Sequence, residues 1–216
     1  MKEKIQMSES MGVGLLLAVT GGFMDAYSYI CRDHVFANAQ TGNILLFGVC
    51  LAEKNMQMAL RYLLPVLAFT AGIVISDMVK HRLKSSQFLH WRQGAVLLEI
   101  CILGMVGFIP KECNLPANCL TSLACGIQVE SFRSIRGYGA ATTMCIGNLR
   151  SATQSFGECI RTKDRELLRK GLIYAGLIGF FVVGAVACNW IIGILAEKAI
   201  LSCCMILVVV FGLMFI

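Results

Sequence analysis

Residues 172–190 read LIYAGLIGFFVVGAVACNW, an unbroken apolar run with no charged side chain. At 1.5 Å of rise per residue a helix of this length is about 29 Å long, close to the ~30 Å hydrocarbon core of a bilayer. Five further apolar segments flank it in sequence, at about 11–30, 61–79, 94–109, 115–132 and 199–215. The 115–132 segment is the most polar, interrupted by Asn118, Thr121, Ser122, Gln128 and Glu130. Composition agrees with this reading: 57% of the 216 residues are hydrophobic and 15% charged, with a mean hydropathy of +0.72. A soluble globular chain carries about 25% charged residues, so this chain has too little polar surface to face water all round. The sequence predicts an all-α, polytopic integral membrane protein. It forms a single membrane domain over 1–216.

The net charge of +6 does not indicate a nucleic-acid partner. The basic residues cluster in short loops between apolar runs, as in the cytoplasmic loops of membrane proteins. The eleven cysteines do not form a disulfide framework, since most lie within apolar runs and no Cys-x-x-Cys pair occurs; there they act as small hydrophobes. The first apolar run continues through Gly21-Gly22-Phe23-Met24-Asp25-Ala26-Tyr27 without a small-x-small cleavage site. It is read as a retained membrane helix, not a signal peptide.

Two shorter stretches, 41–51 and 146–156, follow polar, glycine-containing approaches at 36–43 and 139–148. A shift of 105 residues places Gly21 on Gly126, Asp25 on Glu130, Tyr27 on Phe132, Gly42 on Gly147 and Asn43 on Asn148. The order of segments repeats as well, which indicates two related halves, about 11–109 and 115–216. Charge then decides the topology. If all eight segments crossed, the basic loop with Lys80, Arg82, Lys84 and Arg92 would face away from the one with Arg161, Lys163, Arg165, Arg169 and Lys170. That arrangement violates the positive-inside bias in either orientation. Letting the two short segments dip in and return brings both loops to one side, together with Lys2, Lys4, Arg133 and Arg136. The expectation is six membrane-crossing helices plus two re-entrant half-helices, arranged as two inverted-topology repeats with both termini cytoplasmic, a plan that recurs in secondary transporters.

Ionisable residues at membrane depth are costly and rare. Asp25, Glu130 and Glu99 all lie inside apolar segments. They are candidates for binding a coupling proton or cation; the alternative is that they cap or bond neighbouring helices. Thr41-Gly42-Asn43 and Ile146-Gly147-Asn148 open the two half-helices, preceded in the second half by Thr142 and Thr143. A helix N-terminus presents free N–H groups to a polar or anionic ligand, and Asn, Thr and Gln128 supply further hydrogen bonds. Gly42 and Gly147 equally suit close helix packing. Arg133 is read as an interface anchor or as a charge partner of Glu130 or of an anionic substrate. His34, His81 and His90 are in separate loops, so no metal site is expected. Neither a phosphate-loop motif nor a His-Glu-x-x-His motif occurs, and no cofactor or enzymatic activity is expected.

Gly21-Gly22-Phe23-Met24-Asp25-Ala26-Tyr27-Ser28-Tyr29, Phe36 and Thr41-Gly42-Asn43, with Gly126, Gln128, Arg133, Thr142-Thr143 and Gly147-Asn148-Leu149 in the second half, together resemble the YoaK family, a domain of unknown function also called DUF1275. Ile146 departs from it, since the family often has Thr there. The resemblance implies a bacterial inner-membrane protein with about six helices and implies no activity. The expected function is a secondary transporter or channel-like permease for a small polar or anionic solute, held where the half-helix N-termini meet near the bilayer midplane. The competing reading is a non-transporting membrane scaffold or regulatory subunit. The expected partners are the lipid bilayer and that solute, with a homo-oligomer left open. Cysteine labels introduced at Lys84 and at Lys163 should both report the cytoplasm; labels on opposite faces would overturn the six-crossing topology.

Overall fold

The computed structural model describes residues 7–83 and 90–215; Lys2, Lys4 and Lys84, which entered the charge argument, lie outside them. Among the described residues the chain forms eight helices: α1 (Met11–Cys31), α2 (Gln40–Ala52), α3 (Met56–Leu83), α4 (Trp91–Val106), α5 (Asn114–Ser131), α6 (Cys145–Thr162), α7 (Arg165–Leu195) and α8 (Ile200–Leu213). A short hairpin follows α5, with Ser134–Ile135 pairing antiparallel to Tyr138–Gly139. Its turn residues Arg136 (φ 52°) and Gly137 (φ 78°) both have positive φ, the geometry that matches strand twist in two-residue hairpins.

Each apolar run became a helix, but several boundaries moved, including both ends of α3 (Met56–Leu83), and two moved furthest. α6 continues past Phe156 to Thr162, its polar face carrying a Gln154 Nε2–Glu158 Oε1 hydrogen bond of 3.1 Å. α7 starts at Arg165 rather than Leu172, with the Asp164 side chain accepting from the Glu166 N–H at 2.8 Å. Charged residues end a hydropathy signal without ending a helix.

The chain is apolar outside and buries a set of polar side chains among its apolar core. α3 and α7 turn Leu67, Val74, Met78, Phe180, Val183 and Val186 outward, whereas Thr20, Asn43, Ser76, Asn118 and Gln128 are buried. That is the distribution of a protein solvated by hydrocarbon rather than by water. Met11–Cys31, Met56–Leu83 and Arg165–Leu213, the last holding both α7 and α8, are long and apolar enough to cross a membrane. α4 and α8, with 16 and 14 residues, are shorter than a full crossing requires, and α4 is instead largely buried in the bundle.

Two arginines mark the two ends of the bundle. Arg32, fully buried, caps α1. Its guanidinium donates to the carbonyls of Ile109 (2.8 Å) and Pro110 (3.1 Å) beyond α4, to Asn114 Oδ1 (3.3 Å) at the start of α5, and to Tyr27 Oη (2.9 Å). The Tyr27 hydroxyl in turn donates to the Glu197 carbonyl at 2.9 Å, in the turn between α7 and α8. At the opposite end Arg92, opening α4, donates to the Ser131 carbonyl (3.1 Å) at the end of α5, and to Ser8 Oγ and Glu9 Oε1 (both 2.7 Å) before α1. α1 and α4 therefore run from the Arg92 end to the Arg32 end, and α5 runs back.

The most extensive helix pairings are α1 with α7 and α3 with α5. In both, glycine lets backbones touch. A Cβ on Gly22 or Gly184 would collide with the carbonyl of Phe181 or Val19, and one on Gly72 or Gly126 with that of Leu123 or Phe69. These are close crossings of the small-residue type common between membrane helices. Neither facing backbone can yield as a flexible side chain would. Gly184→Leu should therefore lose more than about 2 kcal/mol of stability, read as a large fall in melting temperature in detergent, whereas Gly193→Ala, with open space around it, should melt as the wild type.

Candidate functional site

The two segments preceding α2 and α6 converge on the middle of α1. Asn38 Nδ2 donates to the Gly21 carbonyl at 3.1 Å, and the methyl of Thr143 lies where a Cβ on Gly21 would sit. Gly21 is the midpoint of α1. The chain thus leaves α1 at the Arg32 end, returns to mid-helix at Asn38, and α2 carries it back outward. From the other end, the segment after α5 reaches the same level at Thr143 before α6 begins.

Between the two helix starts lies a cavity of about 560 Å³, lined among others by Asn38, Thr41, Phe69, Ile73, Thr143 and Gly147. Asn38 Oδ1 and Thr143 Oγ1 are buried there without a hydrogen-bond partner among the described residues. Buried polar atoms in native structures are normally paired; Ser28, Glu99, Asn118 and Ser122 also carry unpartnered buried oxygens elsewhere in the bundle. No side chain caps α6. The start of α2 differs: Asp25 Oδ1 accepts the N–H of Asn38 at 2.7 Å and of Ala39 at 3.4 Å, so the half-buried carboxylate covers the amides that precede that helix.

The paired asparagines hold the unwound segments rather than facing the cavity. Asn43 Nδ2 donates to the Phe36 carbonyl at 2.7 Å, and Asn148 Nδ2 donates to the Ala141 carbonyl at 2.7 Å, each reaching seven residues back. The two bonds are related by the 105-residue offset. Asn43 also accepts from the Phe36 N–H at 3.1 Å and donates to Gln40 Oε1 at 2.9 Å. Gln128 is fully buried, donating to the Leu17 carbonyl (2.8 Å) and to Thr142 Oγ1 (3.2 Å) and accepting from the Thr20 hydroxyl (3.2 Å). It ties α5, α1 and the 140–144 segment together. Gly42 faces the Phe36 ring, so packing accounts for it, while a Cβ on Gly147 would meet open space.

Each half also has a lateral cleft beside its acidic residue. One, of about 570 Å³, is lined by Asp25, Tyr29, Phe36, Ala39, Phe181 and Asn189 with neighbouring apolar residues. The other, of about 420 Å³, is lined by Glu130, Arg133, Ala141, Met144, Gly147 and Asn148 among others. Glu130 pairs with Arg133 at 3.3 Å, one of the two alternatives its spacing allowed. Glu99 lines neither cleft nor the central cavity. It is fully buried on α4, and neither oxygen has a hydrogen-bond partner among the described residues. Arg32 carried no signal in sequence, because apart from Tyr27 its partners lie more than seventy residues away.

The family described as "Protein of unknown function (DUF1275)" matches residues 13–213, and the chain belongs to that family. It is 25% identical over 180 residues to the UPF0700 transmembrane protein YoaK of Bacillus subtilis (strain 168), covering 79% of each chain. No solved structure matches.

Because Asn43 and Asn148 satisfy backbone carbonyls that have no other hydrogen-bond partner among the described residues, Asn43→Ala and Asn148→Ala should each destabilise the purified protein by about 1–3 kcal/mol. Thermal melting checks this; unchanged melting would mean that the segments before α2 and α6 are held by other contacts.

Proposed function

We propose that this transmembrane protein is a permease, not an enzyme, and that it passes a small polar or anionic solute through the central cavity. The observation that carries the reading is the convergence of two helix starts at the midpoint of α1 around a cavity of about 560 Å³ lined by Asn38, Thr41, Thr143 and Gly147. Unwound backbone at membrane depth is tolerated where it is buried in protein or lines a water-filled cavity, and paired broken helices at mid-depth are a common form of transporter site. The amide hydrogens of α6 and the Thr143 hydroxyl offer donors, and Asn38 offers an acceptor. The Asp25 carboxylate lies one residue from this cavity through Ala39.

The six-crossing, inverted-repeat arrangement belongs to the same proposal. Several features support it. α1 and α5, which the 105-residue offset relates, run in opposite directions between the Arg32 and Arg92 ends. The α1–α7 pairing corresponds to the α5–α3 pairing under the same exchange of halves, and α4–α5 corresponds to α8–α1. Arg133, Arg136, Arg165 and Lys170 gather with Arg92 at one end, which the positive-inside bias assigns to the cytoplasm. The other end carries the balanced pair Lys111–Glu197 at 3.1 Å. In this arrangement Asp25 is the coupling group, releasing or holding the amides of Asn38 and Ala39 as it gains or loses a positive charge.

A solute-uptake screen in proteoliposomes, with and without an imposed pH gradient, tests the reading. Gly147→Leu projects into the cavity with nothing else to collide with, so it should reduce uptake at least about tenfold while changing stability by less than about 1 kcal/mol. Asp25→Asn should remove gradient-driven uptake and leave folded protein in the membrane. Uptake that both variants leave intact, or a protein without solute flux across the screen, would favour the scaffold.

A further inference from the structure

The two lateral clefts differ in charge, and the difference has a chemical meaning. Positions 25 and 130, 36 and 141, and 39 and 144 are related by the 105-residue offset, and each pair contributes to its own cleft. In the second cleft the carboxylate of Glu130 has the Arg133 guanidinium 3.3 Å away. The residue 105 positions before Arg133 is Ser28. Of the described residues lining the first cleft, Asp25 alone is charged. Backbone N–H groups donate to it, and no side chain does so among the described residues. A carboxylate in an apolar setting is stable when it is protonated or when donors or a cation compensate its charge; here two backbone amides do so, and the residues lining the cleft add no cation.

The walls of the cleft define which cation fits. Tyr29 stacks on Phe36 with ring centroids 5.2 Å apart and 27° between planes, and Phe181 contributes from α7. Aromatic faces attract organic cations. A metal ion needs several oxygen ligands, whereas the polar side chains lining the cleft are Asp25, Tyr29 and Asn189 amid apolar neighbours. Its volume of about 570 Å³ lies within the range of small-molecule sites, roughly 300–1,000 Å³. Its outer wall, Val182 and Val186, is about half exposed on the side of the bundle, where the surroundings are hydrocarbon.

We propose that the Asp25 cleft binds a hydrophobic organic cation, which enters from the side of the helix bundle and sets its charge against the Asp25 carboxylate. The site is separate from the central cavity and stands whether or not that cavity conducts a solute.

Tetraphenylphosphonium is a suitable probe for the purified full-length protein in detergent, with binding measured by equilibrium dialysis. Asp25→Asn keeps an acceptor oxygen for the Asn38 and Ala39 amides while removing the charge. Ala185→Phe fills the cleft without touching the carboxylate. The expected result is saturable binding that weakens about tenfold or more in each variant, is unchanged in Glu53→Gln in the α2–α3 turn, and resists competition by neutral triphenylphosphine oxide. Equal binding by wild type and Asp25→Asn, displacement by the neutral compound at similar concentration, or the absence of saturable binding would each overturn the proposal. If Asp25→Asn fails to fold by thermal melting, Ala185→Phe and the neutral competitor decide.

Discussion

A chain that interrupts its helices inside a membrane must satisfy the freed backbone groups from within, because hydrocarbon offers no donors or acceptors. The architecture follows from that constraint. Asn43 and Asn148 fold back onto the carbonyls of Phe36 and Ala141, so each unwound segment is closed by the helix that follows it. Asp25 takes the amides of Asn38 and Ala39. Arg32, buried without a carboxylate partner among the described residues, spreads its charge over carbonyls at the end of α4, where the helix dipole is negative. Removing a buried charge partner of this kind typically costs about 3–5 kcal/mol, since the groups left behind have no water to turn to. With backbone needs met in this way, the interior still retains unpartnered side-chain oxygens among the described residues, those of Asn38 and Thr143 belonging to residues that line the central cavity.

The parts of this arrangement that sequence makes legible are those encoded by local pattern. Apolar runs of membrane length located the helices. The recurrence of Gly-Asn at 42–43 and 147–148 located the starts of α2 and α6, because an unwound approach needs polar side chains just inside the helix that follows. Helix ends beyond the apolar runs were hidden: α6 and α7 continue through Arg161 and Arg165, and hydropathy falls there although hydrogen bonding does not. The roles of the site residues were less legible than their positions. Asn43, Asn148 and Gln128 read equally well as ligands or as braces, and only the three-dimensional partners distinguish the two. Arg32 sits in Cys31-Arg32-Asp33-His34 and reads as a loop residue, yet it is the largest fully buried side chain.

The halves have also diverged chemically around a common plan. The start of α2 is covered by a carboxylate and packed through Gly42 against Phe36, whereas the start of α6 is left open beside Gly147. The clefts differ likewise, one internally neutral through Glu130 and Arg133, the other carrying Asp25 alone. The asymmetry is consistent with the proposed solute path and with a separate Asp25 cleft.

The central claim is that the cavity between the starts of α2 and α6 is wet and reachable from the aqueous phase. Thr41→Cys and Gly147→Cys, treated in native membranes with a membrane-impermeant thiol reagent and mapped residue by residue by mass spectrometry, test it most directly. The native cysteine Cys113, exposed beside the α4–α5 turn, reports that the reagent is active. The account predicts modification of both introduced cysteines. A result in which Cys113 reacts and neither introduced cysteine does would describe a dry interior and contradict it.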